Sequence, residues 1–104
     1  MLKEAEIRTE AVEWFSVAMM EKLSRPKNLA KEHWRRFSFQ YLFNRILDES
    51  EELNTELLNL QNYYEANRLE KVIDEAVDVA NIAMMVADNA RYELSFLTKG
   101  DKLD

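Results

Sequence analysis

Two carboxylates interrupt an otherwise apolar run in the stretch VIDEAVDVANIAMMVAD, residues 72–88. Glu75 and Asp78 are three residues apart, so they share one face of a helix. A helix that is apolar on nearly all sides is expected to be buried, and an ionised carboxylate is costly to bury unless a cation lies beside it. The stretch therefore predicts that a basic side chain or a metal ion accompanies Glu75 and Asp78.

A second set of carboxylates lies on one face of the segment RILDESEELNTEL, residues 45–57. Arg45, Glu49, Glu52 and Glu56 follow one another at spacings of four, three and four, which place them together on a helix. Three neighbouring like charges repel one another. Taken alone, such an acidic face is most often a solvated surface.

The two carboxylate sets meet if both segments are helices of one antiparallel hairpin that turns at NYYEAN, residues 62–67. Glu49 then lies level with Asp78, and Glu52 lies level with Glu75. Four carboxylates at one level favour a hard divalent cation such as Mg²⁺ or Mn²⁺, which prefers oxygen ligands and leaves positions open for water and phosphate. Raised pKa values are an alternative. Ion pairs are another, with Arg45, Arg68 or Lys71 as the cation.

The composition predicts a single all-α domain over residues 1–104. One glycine and one proline leave little turn chemistry for a sheet, and Pro26 is expected to separate two helices. Asn67 and Glu70 have the spacing of an N-terminal capping box, and Gly100 is expected to end the last helix. Apolar periodicity predicts helices over about residues 5–23, from near 28–33 to about 60, and over about 67–97.

The charge and residue usage exclude several classes of function. A net charge of −6 argues against a nucleic acid polymer as partner, because such proteins normally present a basic face. Without cysteine there is no disulfide, thiolate zinc site or cysteine nucleophile, which suits a reducing cytoplasm. The first ten residues carry charges where a signal peptide needs an apolar core, and the charged run 72–88 is a poor membrane span. We expect a soluble cytoplasmic protein.

Histidine-based chemistry is also excluded. A di-iron bundle requires a Glu-x-x-His step on two helices, but the only histidine is His33, and Ala30 stands three residues before it. A serine or histidine hydrolase fails in the same way, because His33 has no recognisable nucleophile partner.

The paired motifs Glu49-Ser-Glu-Glu52 and Glu75-Ala-Val-Asp78 resemble those of the MazG-like all-α nucleoside triphosphate pyrophosphohydrolases. The stretches EAVDVANIAMMVAD and MEKLSRPKNLAKEHW look most like the branch of dATP/dGTP diphosphohydrolases. The similarity covers roughly residues 14–88.

The resemblance implies hydrolysis of a nucleoside triphosphate, with purine deoxynucleotides as the expected substrates, to the monophosphate and pyrophosphate. It implies that Mg²⁺, with Mn²⁺ as a possible substitute, is bound by Glu49, Glu52, Glu75 and Asp78. Glu49 or Glu52 is the candidate catalytic base. The candidate substrate-binding residues are Lys27, Lys31, Trp34, Arg45 and Asn81; solvated lysines and a core tryptophan are the alternatives.

The last apolar stretch predicts an assembly. Between residues 72 and 87 apolar side chains point in nearly every direction around a helix, and two further helices of one chain cannot cover them all. A second copy of the chain is expected to complete a four-helix-bundle core from two hairpins, as a dimer or a dimer of dimers. The small residues Ala76, Ala80, Ala83 and Ala87 allow close approach. The alternative function is a non-catalytic helical interaction module whose acidic face binds a basic partner.

Overall fold

A computed structural model describes residues 3–25 and 34–103, with side-chain surroundings given as far as residue 98. Every regular element in these ranges is helical, which confirms the all-α class. The elements are α1 (Glu4–Leu23), a short 3₁₀ helix (Trp34–Arg36), α2 (Phe39–Asn62) and α3 (Ala66–Leu103). None of these helices has the length and apolar character that a membrane crossing requires. The chain divides into two compact units, residues 1–32 and 33–104, so the single domain stays a prediction.

The first unit contains α1, whose bounds confirm the predicted first helix to within a residue. The helix ends at Leu23, and the Ser24 hydroxyl donates to the Met20 carbonyl at 2.8 Å. Its apolar side chains are spread around the helix, so that Val12 and Val17 are largely exposed.

The second unit is built on an antiparallel hairpin of α2 and α3. Only residues 63–65 separate the two helices, which forces α3 to fold back along α2. Leu42 of α2 and Val77 and Ile82 of α3 are the buried apolar side chains of the described residues. This packing determines which residues of α2 lie opposite which residues of α3.

The beginning of α2 differs from the predicted one. Residues 34–36 form a 3₁₀ helix, and Ser38 is extended with its hydroxyl accepting from the Tyr41 N–H at 3.0 Å, which caps a helix beginning at Phe39. A helix continuing from residues 28–33 through this region was therefore a wrong prediction. Three residues named from the sequence, Lys27, Lys31 and His33, lie outside the described residues.

The start of α3 agrees with the prediction to within a residue, but its predicted cap and its predicted end were wrong. The Glu65 carbonyl accepts from the N–H groups of Arg68 and Leu69, so the helix begins before Asn67 and no capping box forms with Glu70. At the other end α3 continues through Gly100 to Leu103. A glycine ends a helix only where it adopts a left-handed conformation, and the described residues contain no glycine with positive φ.

The 3₁₀ helix is fixed to α3 by a buried aspartate. Asp88 Oδ2 accepts from Trp34 Nε1 at 2.9 Å and from Arg35 Nε at 3.0 Å, and Arg91 donates to Oδ1. Hydrogen bonds from Arg35, Trp34 and Arg91 hold the pKa of Asp88 well below its usual range. The adjacent Asn89 donates to the Trp34 carbonyl at 3.1 Å. These bonds orient the entry into α2 and thereby help to set the level of its carboxylates.

We expect Leu42→Ala to lower the free energy of unfolding by about 2–5 kcal/mol, because it empties a fully buried position between α2 and α3. The matched control is Leu94→Ala on exposed α3 surface, which should change stability by about 0.5 kcal/mol or less. Urea unfolding followed by circular dichroism measures both. Equal losses in the two variants would contradict the described core.

Candidate metal centre

Helices α2 and α3 bring the predicted carboxylates together at one level of the hairpin. One carboxylate oxygen from each of Glu49, Glu52 and Glu75 lies within 4.8 Å of the other two. Glu75 belongs at the same time to a second group, with Asp74 and Asp78, that meets the same limit. Glu75 therefore joins the α2 carboxylates to the α3 carboxylates.

The cluster is buried on one side and open on the other. Glu49 is 7% exposed, Glu75 is half-buried, and Glu52 is exposed at the solvent edge. The Oε2 atoms of Glu49 and Glu75 are buried and have no hydrogen-bond partner. Buried carboxylate oxygens without a donor are costly, so these two atoms require a proton or a cation.

The electrostatics of the cluster favour protonation when no metal is present. Burial, followed by the charges of Asp78 and Glu52, raises the pKa of Glu75 from 4.5 to about 7. Burial also raises the pKa of Glu49, and the neighbouring Glu52 carboxyl acts in the same direction. Glu75 therefore gains or loses its proton near neutral pH.

Arg45 is a basic residue that pairs with this cluster. Its Nη2 donates to Glu49 Oε1 at 2.8 Å, and its Nη1 lies 3.9 Å from Asp48 Oδ2. Arg68, another cation considered from the sequence, instead lies over the Tyr63 ring at 5.5 Å from its centroid. Arg45 therefore neutralises one oxygen of Glu49 and leaves the buried oxygens without a donor.

The nucleoside-binding candidates lie further along α3. Asn81 is buried one turn after Asp78. Trp34 is half-buried, and its indole N–H is bonded to Asp88, ten residues beyond Asp78. The helical rise separates Asp78 from Asp88 by about 15 Å. The described structure thus binds Trp34 to the far end of the hairpin, and its contact with a base stays a prediction.

Two acidic residues were not included in the predicted site. Asp74 lies within 4.8 Å of Glu75 and Asp78, and its spacing of four from Asp78 is the signal that would have identified it. Glu56 is half-buried, and its Oε2 has no hydrogen-bond partner. Its position one turn after Glu52 was visible in the sequence.

Comparison of the chain with protein-family models, curated proteins and solved structures finds no match. The assignment to the MazG-like family therefore rests on the two acidic motifs and stays a prediction. The positions of the carboxylates in the structure do not depend on that assignment.

We expect the melting temperature of the metal-free protein to fall as the pH rises from about 5 to about 8. Folded Glu75 keeps its proton up to a pKa of about 7, whereas the unfolded chain loses it near 4.5. The folded state therefore binds more protons between these values, and its stability decreases as the pH rises through them.

Thermal unfolding across this pH range, with and without millimolar Mg²⁺, measures the effect. Mg²⁺ should raise the melting temperature more at the higher pH, where it no longer competes with protons. Glu75→Gln is the control and should flatten the metal-free pH dependence. A melting temperature that depends equally on pH in the wild type and in Glu75→Gln would contradict the raised pKa.

Proposed function

We propose that this protein is a metal-dependent nucleoside triphosphate pyrophosphohydrolase that cleaves between the α and β phosphates. The products are the nucleoside monophosphate and pyrophosphate, and one water is consumed. The observation that carries the proposal is the convergence of Glu49, Glu52 and Glu75 within 4.8 Å, with buried carboxylate oxygens that have no donor. The resemblance of the two acidic motifs supplies the reaction class.

The donor set fits a hard divalent cation. It comprises carboxylate oxygens from Glu49, Glu52 and Glu75, with Asp78 in a second group that shares Glu75, and the chain has no cysteine to offer a softer ligand. The raised pKa values of Glu49 and Glu75 express the same need for positive charge. When bound, Mg²⁺ or Mn²⁺ would neutralise phosphate oxygens and lower the pKa of a coordinated water.

The carboxylates differ in the roles that their surroundings allow. Glu49 and Glu75 present buried oxygens and are suited to hold the cation. Glu52 lies at the solvent edge, within reach of both, and is the residue best placed to accept the proton of an attacking water. Glu49, the other candidate base, is buried, and its Oε1 already accepts a hydrogen bond from Arg45.

The substrate contacts are proposed from chemistry and from the resemblance. Arg45 lies beside the cluster and carries a guanidinium suited to phosphate oxygens. Lys27 and Lys31 are proposed to bind phosphates as well. Asn81 and Trp34 are proposed to contact the nucleoside, and purine deoxynucleotides are the proposed substrates. The proposed location is the cytoplasm.

The proposed active form is at least a dimer with a four-helix core. Large apolar side chains of both hairpin helices are exposed in the single chain, and a second hairpin would cover them. On α3, Ala83 and Ala87 are exposed small residues at which a partner helix could approach closely. The exposed apolar residues that support this assembly include Phe43, Leu47, Leu58 and Ile73.

The function is tested with a panel of nucleoside triphosphates and Mg²⁺, with released pyrophosphate as the readout. Glu52→Gln and Asp78→Asn should each lower turnover by about 100-fold or more, because each removes an anionic oxygen but little volume. The matched control is Glu51→Gln, an exposed neighbour outside the cluster, which should retain turnover. Absence of pyrophosphate from every nucleotide would favour the interaction module instead.

The assembly is tested by light scattering at micromolar concentration. Ala83→Glu should convert the wild-type dimer mass to that of a monomer and abolish turnover, because it places a charge on the proposed interface. Asn67→Glu, at an exposed position on the opposite face of α3, is a comparison for added charge alone. A fully active wild-type monomer would contradict the proposed assembly.

A further inference from the structure

Arg45 has two carboxylate partners on its own helix, one buried and one exposed. Glu49, four residues on, accepts from Nη2 at 2.8 Å and has a side chain that is 9% exposed. Asp48, three residues on, lies 3.9 Å from Nη1 and is 66% exposed. A guanidinium between these two positions can remain paired while it moves from one to the other.

Arg45 also competes directly with any cation at the cluster. It occupies Oε1 of Glu49, whereas Oε2 of the same carboxyl is buried without a hydrogen-bond partner. A divalent cation draws on the electron density of the whole carboxylate, which the bond from Arg45 diminishes. The Arg45 side chain is 43% exposed, so neither packing nor burial prevents it from leaving.

We infer that Arg45 acts as an internal cation of the metal centre. When a divalent cation binds, Arg45 leaves Glu49 and pairs with Asp48. It can then bind a phosphate oxygen. This inference rests on the proposed metal-dependent function and adds a regulating residue to it. In the metal-free protein Arg45 stabilises the buried end of the cluster. In the metal-bound protein it contributes a positive charge at the edge of the site, where a triphosphate carries its negative charges.

The energetic balance favours such an exchange. The ion pair within this helix contributes little, because water competes for the exposed Arg45 guanidinium and the long side chains lose freedom in forming the pair. A divalent cation carries twice the charge and contacts several carboxylates at once. Asp48 supplies Arg45 with a replacement partner in water, so that release does not leave an unpaired buried charge.

Mn²⁺ titration calorimetry on the nucleotide-free protein tests the competition without reference to activity. Arg45→Gln should bind Mn²⁺ about threefold more tightly than the wild type, the factor expected from removing a weak competing ion pair. The charge-matched control is Arg36→Gln, because Arg36 is exposed and precedes α2, whose rise from Phe39 to Glu49 is about 15 Å. At about 0.1 M salt a charge at that distance is screened, so this variant should bind as the wild type does.

Arginine side-chain ¹⁵N NMR separates displacement of Arg45 from a general effect of charge. The Arg45 Nε signal should shift with the same midpoint as Mg²⁺ binding, while the Arg36 signal stays in place. Mn²⁺ binding by Arg45→Gln that is equal to or weaker than that of the wild type would overturn the role of Arg45. An Arg45 Nε signal that does not shift when Mg²⁺ binds would do the same. Neither result would contradict the metal centre itself. Absence of Mn²⁺ binding in all three proteins would overturn the metal-dependent function and the role of Arg45 together.

Discussion

The repulsion among carboxylates held between α2 and α3 is the constraint on which the rest of the structure depends. Packing of Leu42 against α3 and the three-residue connection fix the level of the hairpin, and that level brings Glu49 and Glu75 together. Left alone, the cluster opposes the packing that creates it, since burial and like charge both raise carboxyl pKa values. The arrangement is therefore stable only when a proton or a metal ion supplies positive charge to the cluster.

The two ends of the hairpin solve the burial of acidic groups in opposite ways. Asp88 receives donors from Trp34, Arg35 and Arg91, and its pKa lies below its usual range. Glu75 has a buried oxygen without a donor, and its pKa is raised to about 7. The fold thus neutralises one acid with its own side chains and leaves the other in need of charge. Carboxyls of the second kind, placed at an opening to solvent, are characteristic of functional sites.

The sequence predicted the hairpin and the level of its carboxylates, because both follow from helical periodicity and a short connection. It failed where an outcome depends on partners distant in sequence or on a choice between local conformations. Trp34 and Asp88 are 54 residues apart, and the local sequence around neither residue predicts the hydrogen bond between them. Ser38 caps α2, whereas the sequence predicted a helix that begins further upstream, and Gly100 stays helical although glycine often ends a helix. Arg45, Arg68 and Lys71 were the candidate partners of Glu75 and Asp78, whereas the structure pairs Arg45 with Glu49 on its own helix.

The central claim is that the carboxylates of α2 and α3 bind a divalent cation. Anomalous diffraction at the manganese absorption edge, from crystals grown with Mn²⁺ and without nucleotide, tests it most directly. The account predicts an anomalous peak within coordination distance, about 2.2 Å, of oxygens from Glu49, Glu75 and at least one of Glu52 and Asp78. A well-ordered cluster with no anomalous peak, its carboxyls bonded to one another or to basic side chains alone, would contradict it.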